Sequence, residues 1–255
     1  ELVRALQEMN ISEPTEIQAK AIPSILAGND VVAVSKTGSG KTMTFGIPIL
    51  EKMQRTPGIK ALCLAPTREL AVQICTELRK LAKYKRFNIT AVYGGVAIGP
   101  QIDYLRTADM VIATPGRLKD HLQRNTIDLS QIQYAILDEA DKMVEMGFIE
   151  DIEIILQNMP AKKQVILLGA TISEEVDNLR RSYMNNPETI KAETHVKEEY
   201  LEQYYYSIQP HEKFSLLVHL LNTEKPARAI IFCSARATVE IVARNLREQG
   251  LKAEM

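Results

Sequence analysis

The 255-residue sequence has little aromatic character: it contains no tryptophan, and aromatic residues make up 5% of it. Proteins that hold single-stranded nucleic acid by base stacking depend on aromatic side chains, so stacking is not expected to drive binding here. The net charge of −1 also argues against a polybasic protein, because such proteins attract nucleic acid through an excess of Lys and Arg. Any contact with nucleic acid should therefore come from local basic groups.

Cysteine is also scarce. Cys63, Cys75 and Cys233 are odd in number, widely spaced and set in apolar surroundings, so we expect buried free thiols in a reducing compartment. The four histidines show no metal-ligand spacing with them. No apolar run reaches transmembrane length, and the N-terminal residues lack a signal-peptide pattern. We expect an intracellular protein, cytoplasmic or nuclear, with no membrane attachment.

Strand-like apolar runs alternate with helical patterns along most of the chain, which predicts an α/β fold with a parallel sheet and helices on both faces. The stretch 67–84 has the clearest helical period, since Leu70, Ile74, Leu78 and Leu81 form one apolar stripe. Strands are predicted near 31–35, 60–65, 88–93, 109–113, 133–137 and 164–168. Helices are predicted near 41–54, 67–84, 98–106, 116–124, 139–158 and 173–184.

A change of composition divides the sequence in two. Residues 193–200 are polar, charged and aperiodic, which predicts a linker between a first domain at 1–192 and a second at 201–255. So short a second domain buries little core, and we therefore expect it to be incomplete. Its predicted strands are 201–208, 228–233 and one starting at Leu251, and its predicted helices are 211–222 and 236–249.

Two short segments carry the clearest chemistry. Ser35-Lys36-Thr37-Gly38-Ser39-Gly40-Lys41-Thr42 and Asp138-Glu139-Ala140-Asp141 each follow an apolar, strand-like run. A glycine-rich turn with Lys and Thr cradles phosphates and offers a hydroxyl to Mg²⁺. An acidic pair supplies a metal-holding carboxylate and a base for water. Alone, the first segment could be a flexible turn and the second a solvated helix start. Together they predict a nucleotide triphosphatase.

Three further segments follow other predicted strands: Pro66-Thr67-Arg68-Glu69-Leu70, Gly94-Gly95 and Thr114-Pro115-Gly116-Arg117. In open parallel sheets, ligands gather at the carboxyl ends of the strands. These segments offer backbone N–H groups, Thr hydroxyls and Arg side chains, all of which suit phosphates. Each one alone is more readily explained as a helix cap or a tight turn. As a row, they predict a track that holds a sugar–phosphate backbone without much base preference.

With these motifs the chain resembles the DEAD-box RNA helicases of superfamily 2, and in particular their translation-initiation-factor-like members. The resemblance covers nearly the whole chain. It implies a RecA-like first domain, the start of a second RecA-like domain, and an ATP-dependent RNA helicase that hydrolyses ATP with Mg²⁺. RNA is the implied partner, bound largely without regard to sequence. We expect a monomer, and the resemblance leaves room for protein regulators.

The resemblance also implies residue roles. Gln18, in Pro14-Thr15-Glu16-Ile17-Gln18, would read the adenine edge. Asp138 would organise Mg²⁺, and Glu139 would position and deprotonate the attacking water. Asp141 would bond across to Gly169-Ala170-Thr171, a segment associated with coupling hydrolysis to strand separation. The implied phosphate and Mg²⁺ ligands are Lys41 and Thr42 within the loop 35–42, and the implied RNA contacts are Thr67, Arg68, Gly94, Gly95, Thr114, Gly116 and Arg117.

The chain departs from the family pattern in ways that bear on activity. Gly169 stands where the family carries Ser, and Ser35 stands where Gly is usual. The motif with the arginine finger has no match in the 255 residues, so we expect low activity from them alone. The Gly169 and arginine departures favour a second interpretation, an ATP-gated RNA clamp or scaffold with little unwinding activity. A third interpretation is a related ATPase that acts on DNA or protein.

Overall fold

The computed structural model describes residues 1–36, 38–192 and 202–255. The chain divides into two compact units, Glu1–Val196 and Lys197–Met255, and each is described by itself. The predicted linker at 193–200 lies outside the described residues. The predicted domains at 1–192 and 201–255 therefore stay a prediction.

The first unit alternates strands and helices, as the sequence pattern predicts. Its strands are β1 (Val31–Val34), β2 (Ala61–Leu64), β3 (Ile89–Val92), β4 (Met110–Ala113), β5 (Tyr134–Leu137), β6 (Gln164–Gly169) and β7 (Glu188–Lys191). Its helices are α1 (Leu2–Glu8), α2 (Glu16–Ala27), α3 (Lys41–Lys52), α4 (Arg68–Leu81), α5 (Gly99–Leu105), α6 (Pro115–Gln123), α7 (Ala140–Glu145), α8 (Ile149–Gln157) and α9 (Glu174–Tyr183).

The seven strands form one sheet in the order β3-β4-β2-β5-β6-β1-β7, and every neighbouring pair is parallel. All the loops that follow the strands therefore leave from one edge of the sheet, its carboxyl edge. At this edge β5, β6 and β1 are neighbours, and β3, β4 and β2 form the adjoining group. The predicted α/β fold with a parallel sheet is confirmed.

The sheet is buried on both faces, which explains why its inner strands are apolar at successive positions. Val31 and Ala33 pack into the core on one face, and Val32 and Val34 pack into the core on the other. The first core includes side chains from α2, α3 and α4, namely Ile25, Ile49 and Leu78. The second includes side chains from α6, α8 and α9, namely Leu118, Ile152 and Val176.

The structure departs from the predicted elements of the first unit in three places. The helix predicted at 139–158 is two helices, because the chain turns at Gly147, whose φ of 80° lies in the left-handed region. Strand β7 was not predicted, since only Ile190 of its four residues is buried and no apolar run marks it. Helices α1 and α2 were not predicted either.

The second unit contains a 3₁₀ turn at Pro210–Glu212 and two helices, α10 (Lys213–Glu224) and α11 (Arg236–Glu248). Both helices confirm predictions. The described residues 202–255 contain no strand, so the strands predicted there are wrong over their described parts. A strand needs a neighbour that completes its hydrogen bonds, and the apolar side chains meant for such a sheet, Ile230 and Phe232, are exposed.

The three cysteines are free, as predicted. Cys63 and Cys75 are buried, and burial raises the pKa of both thiols. Cys233 is only partly buried, so its predicted burial is wrong: it lies in the segment where no sheet forms. Over the described ranges, no helix is long and apolar enough to cross a membrane.

Candidate functional site

The strand order brings three predicted segments together, because β5, β6 and β1 are adjacent at the carboxyl edge. The N–H of Ser35, after β1, donates to the carbonyl of Gly169 at the end of β6, with a length of 3.0 Å. The N–H of Ala170 donates to Asp141 Oδ2, on the segment after β5, with a length of 2.9 Å. The loops after β1 and β5 are thus both bonded to the end of β6.

The loop between β1 and α3 closes around its lysine. Lys41 is the first residue of α3 and is buried, and its Nζ donates to the carbonyl oxygens of Ser35 at 2.8 Å and of Lys36 at 3.4 Å. Thr42 follows in the first helical turn and is partly buried. A positive group and a hydroxyl at a helix N-terminus suit a phosphate and its metal. Thr37 lies outside the described residues.

Two glycines give this loop its path. Gly38 and Gly40 have φ of 76° and 91°, in the region that favours glycine. A Cβ at Gly40 would clash with Gln18 Nε2, so a side chain there would displace the Gln18 amide as well as strain the backbone. The hydroxyls of Ser35 and Ser39 lie 2.7 Å apart and bridge the loop. The small Ser35 therefore lets the turn close.

The start of α2 braces this loop. The Gln18 side chain is buried; its Nε2 donates to the carbonyl of Gly40 at 3.0 Å, and its Oε1 accepts from the N–H of Thr15 at 3.0 Å. Thr15 Oγ1 donates to the carbonyl of Ser39 at 2.8 Å. An amide has two N–H groups and two lone pairs, so Gln18 keeps one donor and one acceptor for a ligand.

Asp138 is buried at the end of β5 among groups of like charge. Burial, with the neighbouring Glu139 and Asp141 carboxylates, raises the pKa of Asp138 to about 7, although Lys41 opposes the shift. The N–H of Glu139 donates to Asp138 Oδ1 at 3.0 Å. The net result is an excess of negative charge beside the loop lysine, which a divalent cation would relieve.

The donor set decides which metal fits. The described part of the chain holds no group of three or more His, Cys, Asp or Glu residues able to bind a metal ion. Mg²⁺ is usually held by one or two carboxylates together with phosphate oxygens and water. Asp138 and the hydroxyl of Thr42, the residue that follows the loop lysine, fit that mode. They do not form an all-protein cage.

Glu139 has a backbone that few residues adopt. Its φ of 51° lies in the left-handed region, which is uncommon outside glycine and is often found at functional sites. Its side chain is largely shielded, and its Oε2 accepts from Lys142 Nζ at 2.9 Å. A shielded carboxylate next to a metal-binding position can orient a water molecule and take its proton.

Asp141 remains bonded to the segment after β6, although Gly169 has no hydroxyl. Its Oδ2 accepts from the N–H groups of Ala170 and Thr171, each at 2.9 Å, and from Thr171 Oγ1 at 3.1 Å. Its Oδ1 accepts from the N–H of Lys142 at 3.1 Å. The predicted link between the acidic segment and Gly169-Ala170-Thr171 therefore forms through Ala170 and Thr171.

The adjoining strands β3, β4 and β2 carry the second set of segments. Arg68, after β2, is exposed, and its guanidinium lies 4.9 Å from the ring centroid of Tyr93, after β3. Gly94 and Gly95 follow Tyr93 and are exposed. Gly116, in the first turn of α6 after β4, is exposed as well. This half of the carboxyl edge is referred to below as the basic rim.

Other predicted members of the basic rim are already engaged. The Thr67 hydroxyl accepts from the N–H of Leu70 at 3.2 Å and so caps α4, whereas Thr114 caps α6 with its backbone alone. The Arg117 side chain is only 13% exposed, and its Nη2 donates to the carbonyl of Val96 at 2.9 Å. Its Nη1 is buried without a partner within the described residues. Arg117 thus holds the loop after β3 in place through Val96.

Sequence reasoning missed three residues of these sites. Thr15 braces the loop between β1 and α3, Tyr93 supports Arg68, and Lys142 pairs with Glu139. For Lys142 the spacing of three residues from Glu139 on a helix was a usable signal. The other two contacts join residues more than 20 positions apart in the sequence, and no local pattern shows them.

Comparisons with known proteins identify the family. A family model for the DEAD/DEAH box helicase matches residues 15–179. The "DEAD-box ATP-dependent RNA helicase CshA" of Geobacillus kaustophilus is 40% identical over the whole of this chain, which spans 55% of that protein. A "Probable ATP-dependent RNA helicase" of Methanocaldococcus jannaschii is 40% identical over 99% of this chain and 68% of its own length.

Solved structures give the same result. A crystal structure described as a DEAD box protein from the hyperthermophile Methanococcus jannaschii matches 99% of this chain and 69% of its own chain, with 39% identity and a TM-score of 0.74. A hypothetical ATP-dependent RNA helicase from Sulfolobus tokodaii matches 75% of this chain and 56% of its own, with 44% identity and a TM-score of 0.71. The predicted RecA-like fold and family are confirmed: the chain belongs to the DEAD/DEAH box helicase family.

Proposed function

We propose that this chain is the nucleotide-binding part of an ATP-dependent RNA helicase, which binds and hydrolyses ATP with Mg²⁺ and grips the RNA backbone. The observation that carries the proposal is the adjacency of β5, β6 and β1. It brings Lys41, Asp138 and Glu139 together at the loop 35–42, which we call the phosphate loop. The chain spans only part of the relatives it matches, so the activity of the whole protein is inferred from this site and from the family.

Each residue has a chemical task in this proposal. Lys41 exchanges the carbonyl oxygens that it now bonds for phosphate oxygens, which are stronger acceptors because they are charged. Thr42 and Asp138 would hold Mg²⁺, which would supply positive charge against the phosphates. Glu139 orients the attacking water and takes its proton. Gln18 offers its remaining N–H and lone pair to the adenine edge.

RNA is the proposed partner on the basic rim. Arg68 provides an exposed guanidinium, and the exposed backbone at Gly94, Gly95 and Gly116 can approach a phosphate closely. Thr67 and Thr114 lie at the starts of α4 and α6, where N–H groups favour anions. No aromatic platform for bases accompanies these groups among the described residues of the rim, since the Tyr93 ring is covered by Arg68. We therefore propose that the chain binds RNA without base preference, and that it does so as a monomer.

The clamp interpretation loses one of its supports. It relied in part on Gly169 standing where the resemblance implies a serine, yet Asp141 is bonded to both Ala170 and Thr171. The coupling segment can therefore respond to the acidic segment in this chain as well. An ATPase that acts on DNA is distinguished by comparing stimulation of hydrolysis by RNA and by DNA of the same length.

Hydrolysis is tested at Glu139. We expect Glu139→Gln to keep ATP affinity and to lower single-turnover hydrolysis by about 10²- to 10⁴-fold, because the amide keeps the shape but not the basicity. Glu145→Gln, at the exposed end of α7, is the matched control and should keep the wild-type rate. Hydrolysis by Glu139→Gln at the wild-type rate would show that another group activates the water.

A further inference from the structure

Two buried polar side chains outside the sites described above form a chain of hydrogen bonds. Gln101 of α5 is 5% exposed and His121 of α6 is fully buried. Gln101 Nε2 donates to the carbonyl of Tyr93 at 3.0 Å, and its Oε1 lies 3.4 Å from His121 Nε2. On the other side of the imidazole, Nδ1 lies 2.8 Å from Thr126 Oγ1. Polar groups buried this deeply destabilise a fold unless they are paired, and here Gln101 and His121 pair with each other, with a backbone carbonyl and with a hydroxyl.

The direction of these bonds follows from their chemistry. Because the amide nitrogen of Gln101 faces the Tyr93 carbonyl, its oxygen faces His121 and can only accept. His121 therefore carries its proton on Nε2. The single proton of the Thr126 hydroxyl is shared between two acceptors, His121 Nδ1 at 2.8 Å and the His121 carbonyl oxygen at 3.1 Å. Burial and the nearby Arg117 lower the pKa of His121, which agrees with a neutral ring. The Gln101 amide is thus oriented by His121 on one side and Tyr93 on the other.

The chain of hydrogen bonds ends at the loop that carries the exposed glycines. Residues 93–96, here called the glycine loop, follow β3 on the basic rim. Gln101 holds the carbonyl of its first residue, Tyr93, and Arg117 holds the carbonyl of its last, Val96. Arg117 and His121 are one turn apart on α6, on the same side of the helix. Helix α6 therefore fixes the glycine loop at both ends. Arg117 bonds the last residue of the loop directly, and His121 acts on the first residue through Gln101.

The position of the glycine loop matters for what the rim exposes. Gly94 and Gly95 are exposed, and a Cβ at Gly94 would meet nothing within 4 Å. The Tyr93 ring supports the Arg68 guanidinium, so a shift of Tyr93 also moves the exposed cation of the rim. A binding surface loses affinity when its groups must be ordered on binding, and a loop held at both ends avoids that cost.

We propose that Gln101 and His121 are positioning residues for the basic rim: they hold the glycine loop and, through Tyr93, Arg68 in the arrangement that receives a nucleic-acid backbone. The inference rests on the proposed RNA-binding function and assigns that site two residues that never touch RNA. Gln101 acts on the loop, and His121 acts through Gln101.

The test measures RNA affinity of the full 255-residue chain for one single-stranded RNA at fixed low salt. Gln101→Met keeps the length of the side chain and removes both hydrogen bonds, and we expect the Kd for RNA to rise about fivefold, with ATP affinity unchanged. His121→Phe should act in the same direction. His121→Gln, which returns an N–H near the position of Nε2, should restore most of the affinity.

The matched control is Gln164→Met. Gln164 is also a buried amide, and it donates to the carbonyl oxygens of Ile25 and Asn29, which belong to the opposite, amino edge of the sheet. We expect this variant to lose stability as Gln101→Met does, with RNA affinity within about twofold of the wild type. That contrast separates positioning from a general loss of stability.

Each outcome is decisive. Weaker RNA binding by Gln101→Met and His121→Phe, rescue by His121→Gln and no effect in Gln164→Met would support the inference. Wild-type RNA affinity in Gln101→Met, or equal losses in Gln101→Met and Gln164→Met, would overturn the inference and leave the proposed function standing. Absence of RNA binding by the wild-type chain would overturn the proposed function, and the inference with it.

Discussion

Gly169 lies in a narrow space at the end of β6. A Cβ at this position would lie 3.2 Å from Asp141 Oδ1 and 3.2 Å from the carbonyl oxygen of Thr171. Asp141 is held by several hydrogen bonds from Ala170 and Thr171, so it cannot retreat without breaking some of them. In this chain the junction is packed around a glycine.

We expect Gly169→Ala to lower the free energy of unfolding by roughly 1–2 kcal/mol, because the new methyl group crowds Asp141 and Thr171. Gly169→Ser should cost less, since its hydroxyl can bond Asp141. Chemical denaturation of the chain measures both. Gly99→Ala is the control: a Cβ there meets nothing within 4 Å, and it lies at the start of α5. If Gly169→Ala is as stable as Gly99→Ala, the junction is not crowded.

Asp138 makes stability depend on pH. Its ordinary pKa is 3.8, and in the folded chain the pKa is raised to about 7. Between these values the folded protein keeps a proton that the unfolded chain releases. The folded state therefore binds more protons, and the free energy of unfolding falls as pH rises across this window. Above about 7 the loss levels off, because both states are ionised.

We expect this part of the pH dependence to disappear in Asp138→Asn, which cannot ionise. With a chelator present, the wild type should lose stability relative to Asp138→Asn between pH 5 and 7, by at most about 1.4 kcal/mol per pH unit. His121, whose pKa is lowered by burial, works in the opposite direction in both proteins and cancels in the comparison. Parallel stability curves for the two proteins would contradict the raised pKa.

At the scale of elements, the start of α2 has two tasks in the proposed function: it braces the phosphate loop and it reads the adenine base. Gln18 and Thr15 bond the carbonyl oxygens of Gly40 and Ser39, and Gln18 keeps one donor and one acceptor, which we propose for adenine. The two tasks can be separated by comparing the affinities for ATP and for other nucleotides. Loss of bracing weakens every nucleotide, whereas loss of base recognition weakens ATP alone.

We expect the wild type to prefer ATP to GTP, because guanine would leave the buried amide mismatched at a cost of roughly 1–3 kcal/mol. Gln18→Ala should weaken both nucleotides and bring their affinities together. Titration of each nucleotide at fixed Mg²⁺ measures this. A wild type that binds GTP as tightly as ATP would refute base reading by Gln18.

The sequence predicted most of the strands and helices of the first unit, because buried parallel strands are continuous apolar runs and α4 has a clear stripe. It failed where the signal is not local. Strand β7 buries only Ile190, the break between α7 and α8 depends on the left-handed Gly147, and the second unit has apolar runs without strands.

The candidate sites show the same division. The motifs at Lys41 and Asp138 were readable because each is a strand end followed by a helix. The bridging of Ser35 to Ser39 and the burial of Arg117 were not, since they depend on how loops close in space. The sequence allowed Thr67 to be either a helix cap or a phosphate contact, and its hydroxyl caps α4.

For the first unit as a whole, one sheet edge carries two kinds of chemistry. The neighbours β5, β6 and β1 hold the phosphate loop and the acidic segment, and the neighbours β3, β4 and β2 hold the basic rim. The two groups of strands meet where β2 pairs with β5. Nucleotide and RNA should therefore bind to separate halves of one edge, and this division is the central claim.

The most direct test is a crossed measurement of ATP affinity and nucleotide-free RNA affinity in two variants of the full chain. Lys41→Ala should weaken ATP by about 10- to 100-fold and leave RNA binding unchanged. Arg68→Gln should weaken RNA, lower the salt dependence of its binding by about one charge, and leave ATP unchanged. The matched controls are Lys52→Ala at the far end of α3 and Lys80→Gln at the far end of α4, which should leave both affinities unchanged. If Lys41→Ala binds ATP as the wild type does, or if Arg68→Gln leaves RNA affinity and its salt dependence unaltered, the division of the sheet edge is wrong.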